Sequence, residues 1–107
     1  MKFRSNRCIA IHVKDLKKAE QFYRDTLGFA LVSKTRGMLE FDTGRLLLYI
    51  NKSAKARPPI PSFDVKSLRE AKSYLKKAGC TIVAESGRAA YFRDPFGMVY
   101  DIIEAKR

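Results

Sequence analysis

The sequence predicts an α+β fold: two βαβββ modules in a pseudo-twofold arrangement, forming a curved eight-stranded mixed sheet with helices on its outer face. Three observations carry this. The stretch Val13-Lys14-Asp15-Leu16-Lys17-Lys18-Ala19-Glu20-Gln21-Phe22, running on to Gly28-Phe29, returns 52 positions later as Val65-Lys66-Ser67-Leu68-Arg69-Glu70-Ala71-Lys72-Ser73-Tyr74, running on to Gly79. Val, Lys, Leu and Ala fall in register, and the second copy reaches its glycine one residue sooner. The apolar spacing is helical before each glycine and alternating after it. Each half also carries a turn of one kind ahead of its last strand, Asp42-Thr43-Gly44 and Asp94-Pro95-Phe96-Gly97. One module alone would leave a sheet face and edges uncovered, so the two pack together around a concavity.

The elements follow in order. Cys8 to Val13 alternates, with Ile9, Ile11 and Val13 on one face and Cys8, Ala10 and His12 on the other, which reads as a strand. Asp15 is the N-cap of a helix whose inward stripe is Leu16, Ala19, Phe22, Tyr23 and Thr26, ended by Gly28. Strands follow over Ala30–Lys34, Met38–Thr43 and Leu46–Asn51. Lys52 to Pro59 is a basic linker closed by Pro58-Pro59, which cannot continue a central strand. The second module opens with a short strand, Ser62–Val65. Ser67 and Glu70 form a capping box for a helix with the stripe Leu68, Ala71, Tyr74, Leu75 and Ala78, ended by Gly79. Thr81–Ala84, Arg88–Phe92 and Met98–Glu104 are the closing strands.

The chain of 107 residues is long enough for one domain and too short for two independent cores. The organisation is therefore a single domain over 1–107, built of repeats 8–51 and 60–104 joined by linker 52–59. Apolar residues make up 46% of the chain, enough for a packed core. No apolar run is long enough to span a bilayer, and no apolar segment follows the charges near Met1, so a cytoplasmic protein without membrane association is expected. Cys8 and Cys80 lack metal-ligand spacing and are expected as reduced thiols. The net charge of +11 favours anionic partners, but the basic residues are dispersed and no nucleic-acid-binding motif accompanies them, so nucleic acid is not the expected partner.

The residues Val13-Lys14-Asp15-Leu16, Phe22-Tyr23-Arg24-Asp25, Leu27-Gly28-Phe29 and Phe92-Arg93-Asp94-Pro95-Phe96-Gly97 together resemble the vicinal oxygen chelate superfamily. It includes glyoxalase I, the bleomycin-resistance proteins, extradiol dioxygenases and fosfomycin-resistance enzymes. The resemblance runs from about Cys8 to Glu104 and is specific for fold rather than activity. It implies four inward positions for metal ligands, two per module. Counting from the motifs places them at Cys8, Leu48, Ile60 and Asp101, with Leu47 or Tyr49 in place of Leu48 if the count slips by one. Two of the four are hydrocarbon, and a catalytic divalent ion takes about three protein ligands and an open position. The expectation is a vestigial site without a metal cofactor.

Other residues invite chemistry. His12 is the only histidine, on the face of Cys8, and its repeat counterpart is Asp64; such a pair suits a base oriented by an acid, against the plainer reading of a half-buried histidine. Cys8 lies four strand residues from His12, roughly 13 Å at about 3.3 Å per residue, too far for a Cys–His couple. Asp101, between Val99 and Ile103 on its own face, reads as a ligand-binding carboxylate, a base, or a carboxylate satisfied by a basic side chain. Tyr49 and Tyr91 are candidate walls for a planar ligand, and Arg45 and Arg88 candidate rim cations.

The expected function is a small-molecule-binding protein of the glyoxalase and bleomycin-resistance type, engaged in resistance or sequestration. Its ligand would be planar or anionic, held by Cys8, His12, Leu48, Tyr49, Ile60, Asp64, Tyr91 and Asp101, and the resemblance implies a homodimer. The alternative is a lyase, isomerase or dioxygenase-like enzyme of the same superfamily, either dependent on a divalent metal or using His12 and Asp64 as acid and base.

Overall fold

The computed structural model describes residues 1–105. The expected α+β class holds: eight strands and two helices, arranged as two βαβββ modules. They run β1 (Arg4–Val13), α1 (Leu16–Gln21, continued by a π turn over Phe22–Thr26), β2 (Ala30–Lys34), β3 (Met38–Asp42), β4 (Leu47–Lys52), β5 (Arg57–Val65), α2 (Leu68–Lys77), β6 (Thr81–Ser86), β7 (Ala89–Arg93) and β8 (Val99–Glu104). The chain divides into two compact units. One is Arg7–Ile60; the other joins Met1–Asn6 to the segment from Pro61 onward.

In the first unit the strand order is β2-β3-β4-β1. β1 runs parallel to β4, as the crossover through α1 requires, and the other neighbours are antiparallel. Ala19 of α1 packs on Leu39, Phe41, Leu48 and Ile50, with Ile9, Ile11 and Val13 against them. In the second unit the order is β5-β8-β7-β6, again with the β5–β8 pair parallel. Its core joins Leu68, Ala71 and Leu75 of α2 to Val65, Ala90, Phe92 and Ile102.

Both expected N-caps form. Asp15 accepts from the Lys18 amide at 3.1 Å, and Ser67 from the Glu70 amide at 3.2 Å. Gly28 and Gly79 end their helices at φ +75° and +93°, a region that a side chain makes costly.

Four expectations need correction. β1 begins at Arg4 rather than Cys8, its early residues joining the second unit and its run passing through Arg7 at φ 63°. β5 begins at Arg57 and takes in Pro58, Pro59 and Pro61; its ladder with β8 involves only Ser62 to Val65, beyond the prolines. Phe22 and Thr26 are exposed rather than inward, because the π turn rotates the end of α1. Tyr23 faces in as the stripe predicts, its ring 6.2 Å from Phe41 and 6.4 Å from Phe29. Of the inward stripe of α2, Ala78 is exposed, and Tyr74 is 51% exposed and lies beside Phe3, ring centroids 6.3 Å apart.

Candidate functional site

Strand parity decides which side chains are open to a ligand. In the first unit Ile9, Ile11 and Val13 join the core under α1, so Cys8, Ala10 and His12 take the opposite face. The parallel ladder sets Cys8 beside Leu47, Ala10 beside Tyr49 and His12 beside Asn51. Leu48 is therefore misplaced by the count from the turn glycine: it is buried in the α1 core with Ala19, and Tyr49 takes the open-face place. The ladders agree, for Ala10 pairs with Tyr49 as Ser62 pairs with Asp101, each residue 52 positions from its counterpart.

Tyr49 carries the polar chemistry of this face. Its hydroxyl is hydrogen-bonded with Glu40 and Cys8, and Glu40 also accepts from Ser33 Oγ at 3.2 Å. Burial, then the negative charge of Cys8 and Glu40 at high pH, pushes the phenol up to about 12. It stays protonated throughout the neutral range. Cys8 is half-buried and belongs to this network. His12 has its pKa lowered, first by burial and then by the positive charge of Arg57, so its imidazole resists protonation. Ile60 is 4% exposed and offers only hydrocarbon.

In the second unit a chain of polar side chains ends at Asp101. Asn6 Nδ2 donates to Ser62 Oγ at 2.8 Å and to Asp64 Oδ1 at 3.2 Å, and Ser62 Oγ donates to Asp101 Oδ2 at 2.9 Å. Asp101 Oδ1 is buried and has no hydrogen-bond partner among the described residues. Burial raises the Asp101 pKa, and the Ser62 hydrogen bond opposes that rise only in part. Asp101 lines a small pocket of about 240 Å³ with Ala84, Glu85, Ser86, Ala89, Ala90 and its ladder partner Tyr91.

The candidates fall in both units, and each unit has its own polar network. Tyr91 and Asp101 share a pocket; Cys8 and Tyr49 share a network in the first unit. His12 has Arg57 for a neighbour, and Asp64 has Asn6. Arg88 is drawn to Glu104 at 3.7 Å. Two residues of the Asp101 chain escaped the sequence reading. Ser62 is 4% exposed, yet a lone serine at a strand start carries little signal. Asn6 precedes the segment that alternation marks as strand. Their clue is the 52-residue ruler, which puts Ser62 on the face of Asp64.

A family model described as Glyoxalase/Bleomycin resistance protein/Dioxygenase superfamily matches residues 7–102. The chain belongs to this superfamily. Among solved structures it is similar to an E323L mutant of homoprotocatechuate 2,3-dioxygenase from Brevibacterium fuscum, at 21% identity and a TM-score of 0.74, covering 99% of this chain and 33% of that one. The native homoprotocatechuate 2,3-dioxygenase from Arthrobacter globiformis gives 21% identity and a TM-score of 0.73, with 99% and 37% covered. A superfamily member from Vibrio splendidus 12B01 gives 12% identity and a TM-score of 0.69, with 94% and 97% covered. The chain spans about a third of the length of the dioxygenases it resembles, and at these identities the likeness speaks to the fold. A search of curated proteins gives no match. Within the superfamily's repeat, Tyr49 and Asp101 are counterparts: one module presents a phenol where the other presents a carboxyl.

Proposed function

We propose that this superfamily member binds a small molecule in the Asp101 pocket of its second unit, without a resident metal and without turnover. The observation that carries the reading is the buried Oδ1 of Asp101, which lacks a hydrogen-bond partner among the described residues, in a residue that lines a pocket. Buried polar atoms are nearly always satisfied, so an unsatisfied one at a pocket wall favours a ligand that completes it. The proton directions are set by the chain behind it. Asn6 donates into Ser62, so the Ser62 proton is committed to Oδ2, and Oδ1 is left for a ligand hydroxyl or amine. Tyr91 and the three alanines suit an apolar ring around that group, with Glu85 and Ser86 as the polar part of the lining.

The donor chemistry argues against a resident divalent ion. Leu48 and Ile60 cannot ligate, Tyr49 keeps its proton, and Cys8 and Asp101 fall short of three ligands. Among the described residues no three His, Cys, Asp or Glu side chains gather into a metal set. A base role for His12 is weakened first by burial and then by the charge of Arg57, both of which oppose the proton a base must accept.

The test is a titration with 4-methylphenol and its methyl ether, followed by amide chemical shifts, on protein purified without chelator. The phenol is expected to bind with shifts at Ala84 and Tyr91, the ether at least about tenfold more weakly, and Asp101→Leu to abolish the difference. Equal binding of both compounds, or an unchanged Asp101→Leu, ends the ligand reading. Stoichiometric zinc, nickel, manganese or iron that is lost in Asp101→Ala ends the metal-free reading.

A further inference from the structure

A second cleft lies in the same unit, with different walls. It is about 1080 Å³ and forms where Met1–Ser5, the end of β5 and the outer side of α2 meet. Lys2, Arg4 and Lys66 line it, and none of the three is ion-paired with another described residue. Tyr74 lines it too. This is the aromatic that helical spacing assigns to the core and that the structure leaves 51% exposed, its ring beside Phe3.

Three cations facing one space repel one another and lower the potential energy of an anion placed among them. The cleft also holds two carboxylates. Asp64 is engaged by Asn6 at 3.2 Å, and Glu70 lies in the first turn of α2, where the helix dipole favours its charge. Neither forms an ion pair with the three cations. Among the described residues the three positive groups have no ion-pair partner. An exposed aromatic ring beside them adds a flat apolar surface, which an inorganic anion would not use.

We propose that this cleft is a binding site for a planar aromatic carboxylate, the ring lying on Tyr74 and the carboxylate held by Lys2, Arg4 and Lys66. It is separate from the Asp101 pocket, which shares none of its lining residues and whose two carboxylates, Glu85 and Asp101, suit a neutral hydroxyl or an amine. The two sites would therefore sort ligands by charge.

The probes are 2-naphthoate, its neutral isostere 2-naphthamide, and inorganic phosphate, each titrated into the full chain by amide chemical shifts. Naphthoate is expected to shift the amides of Arg4, Lys66 and Tyr74 while leaving Ala84 and Tyr91 unmoved. The double variant Arg4→Gln/Lys66→Gln should weaken it about tenfold or more, and Tyr74→Ala by a similar factor. All three positions are exposed, so the variants should keep the wild-type amide spectrum elsewhere. Naphthamide binding as tightly as naphthoate, phosphate binding as tightly as naphthoate, shifts confined to the Asp101 pocket, or undiminished binding by either variant would each overturn the proposal. Failure of 4-methylphenol to bind at Asp101 leaves this outcome unaffected, because the two titrations read different amides.

Discussion

The Asp101 carboxyl has one oxygen held by Ser62 and the other shielded without a partner among the described residues. Burial makes its charged form costly in the folded chain, and the single hydrogen bond from Ser62 offsets this only in part. Its folded-state pKa lies above the ordinary value of 3.8, so between the two values the folded protein binds more protons than the unfolded one. Stability then falls as pH rises through this window and stays reduced above it. Asp101→Asn removes the penalty. The variant is expected to melt a few degrees above wild type at pH 8, with the gap closing as pH is lowered toward 3.8, measured by thermal denaturation across the range. The sequence exposed this residue through its apolar strand neighbours. It did not expose Asn6 or Ser62, because the contacts that matter join residues 56 and 39 apart, and neither type is unusual where it stands. The neighbour of His12 was hidden for the same reason: Arg57 sits in a segment that its prolines mark as linker.

At the scale of elements, local rules served where the chemistry is local. Asp15 and Ser67 were readable as caps because a side-chain oxygen three residues ahead of an unpaired amide has one geometric use. Ser67→Ala is expected to cost about 1 kcal/mol in urea unfolding, with the m-value unchanged. Rules that count along the chain failed where its spacing varies. Five residues separate Gly44 from Tyr49 and four separate Gly97 from Asp101, so counting from the turn picked Leu48, a core residue. The ladders with β1 and β5 carry the true correspondence. Helical spacing likewise put Phe22 and Tyr74 inside. The first fails because α1 ends in a π turn, and the second because Leu68, Ala71 and Leu75 already fill the buried face of α2.

Across the whole molecule, 22 basic residues face 11 acidic ones. A few ion pairs offset this locally, such as Lys34–Glu20 at 2.8 Å and the Lys72–Glu85 pair, but the net charge of +11 remains. Self-repulsion of that kind weakens the folded state and is screened by salt. The melting temperature is expected to rise between about 10 and 300 mM sodium chloride, roughly as the Debye length shortens from about 30 Å toward 6 Å. The repeated βαβββ order itself was legible because both copies keep their apolar spacing and their glycines. Where they differ, the difference has a shape. Closing the second helix takes a bond from the Cys80 amide to the Leu75 carbonyl, 2.9 Å; closing the first takes one from Phe29 to Tyr23, 3.0 Å, around a loop one residue longer. The extra residue of the first copy is absorbed in the π turn, where Leu27 reaches back to Phe22 at 3.1 Å. Such a widened turn lets a helix take up an insertion while the next strand keeps its register.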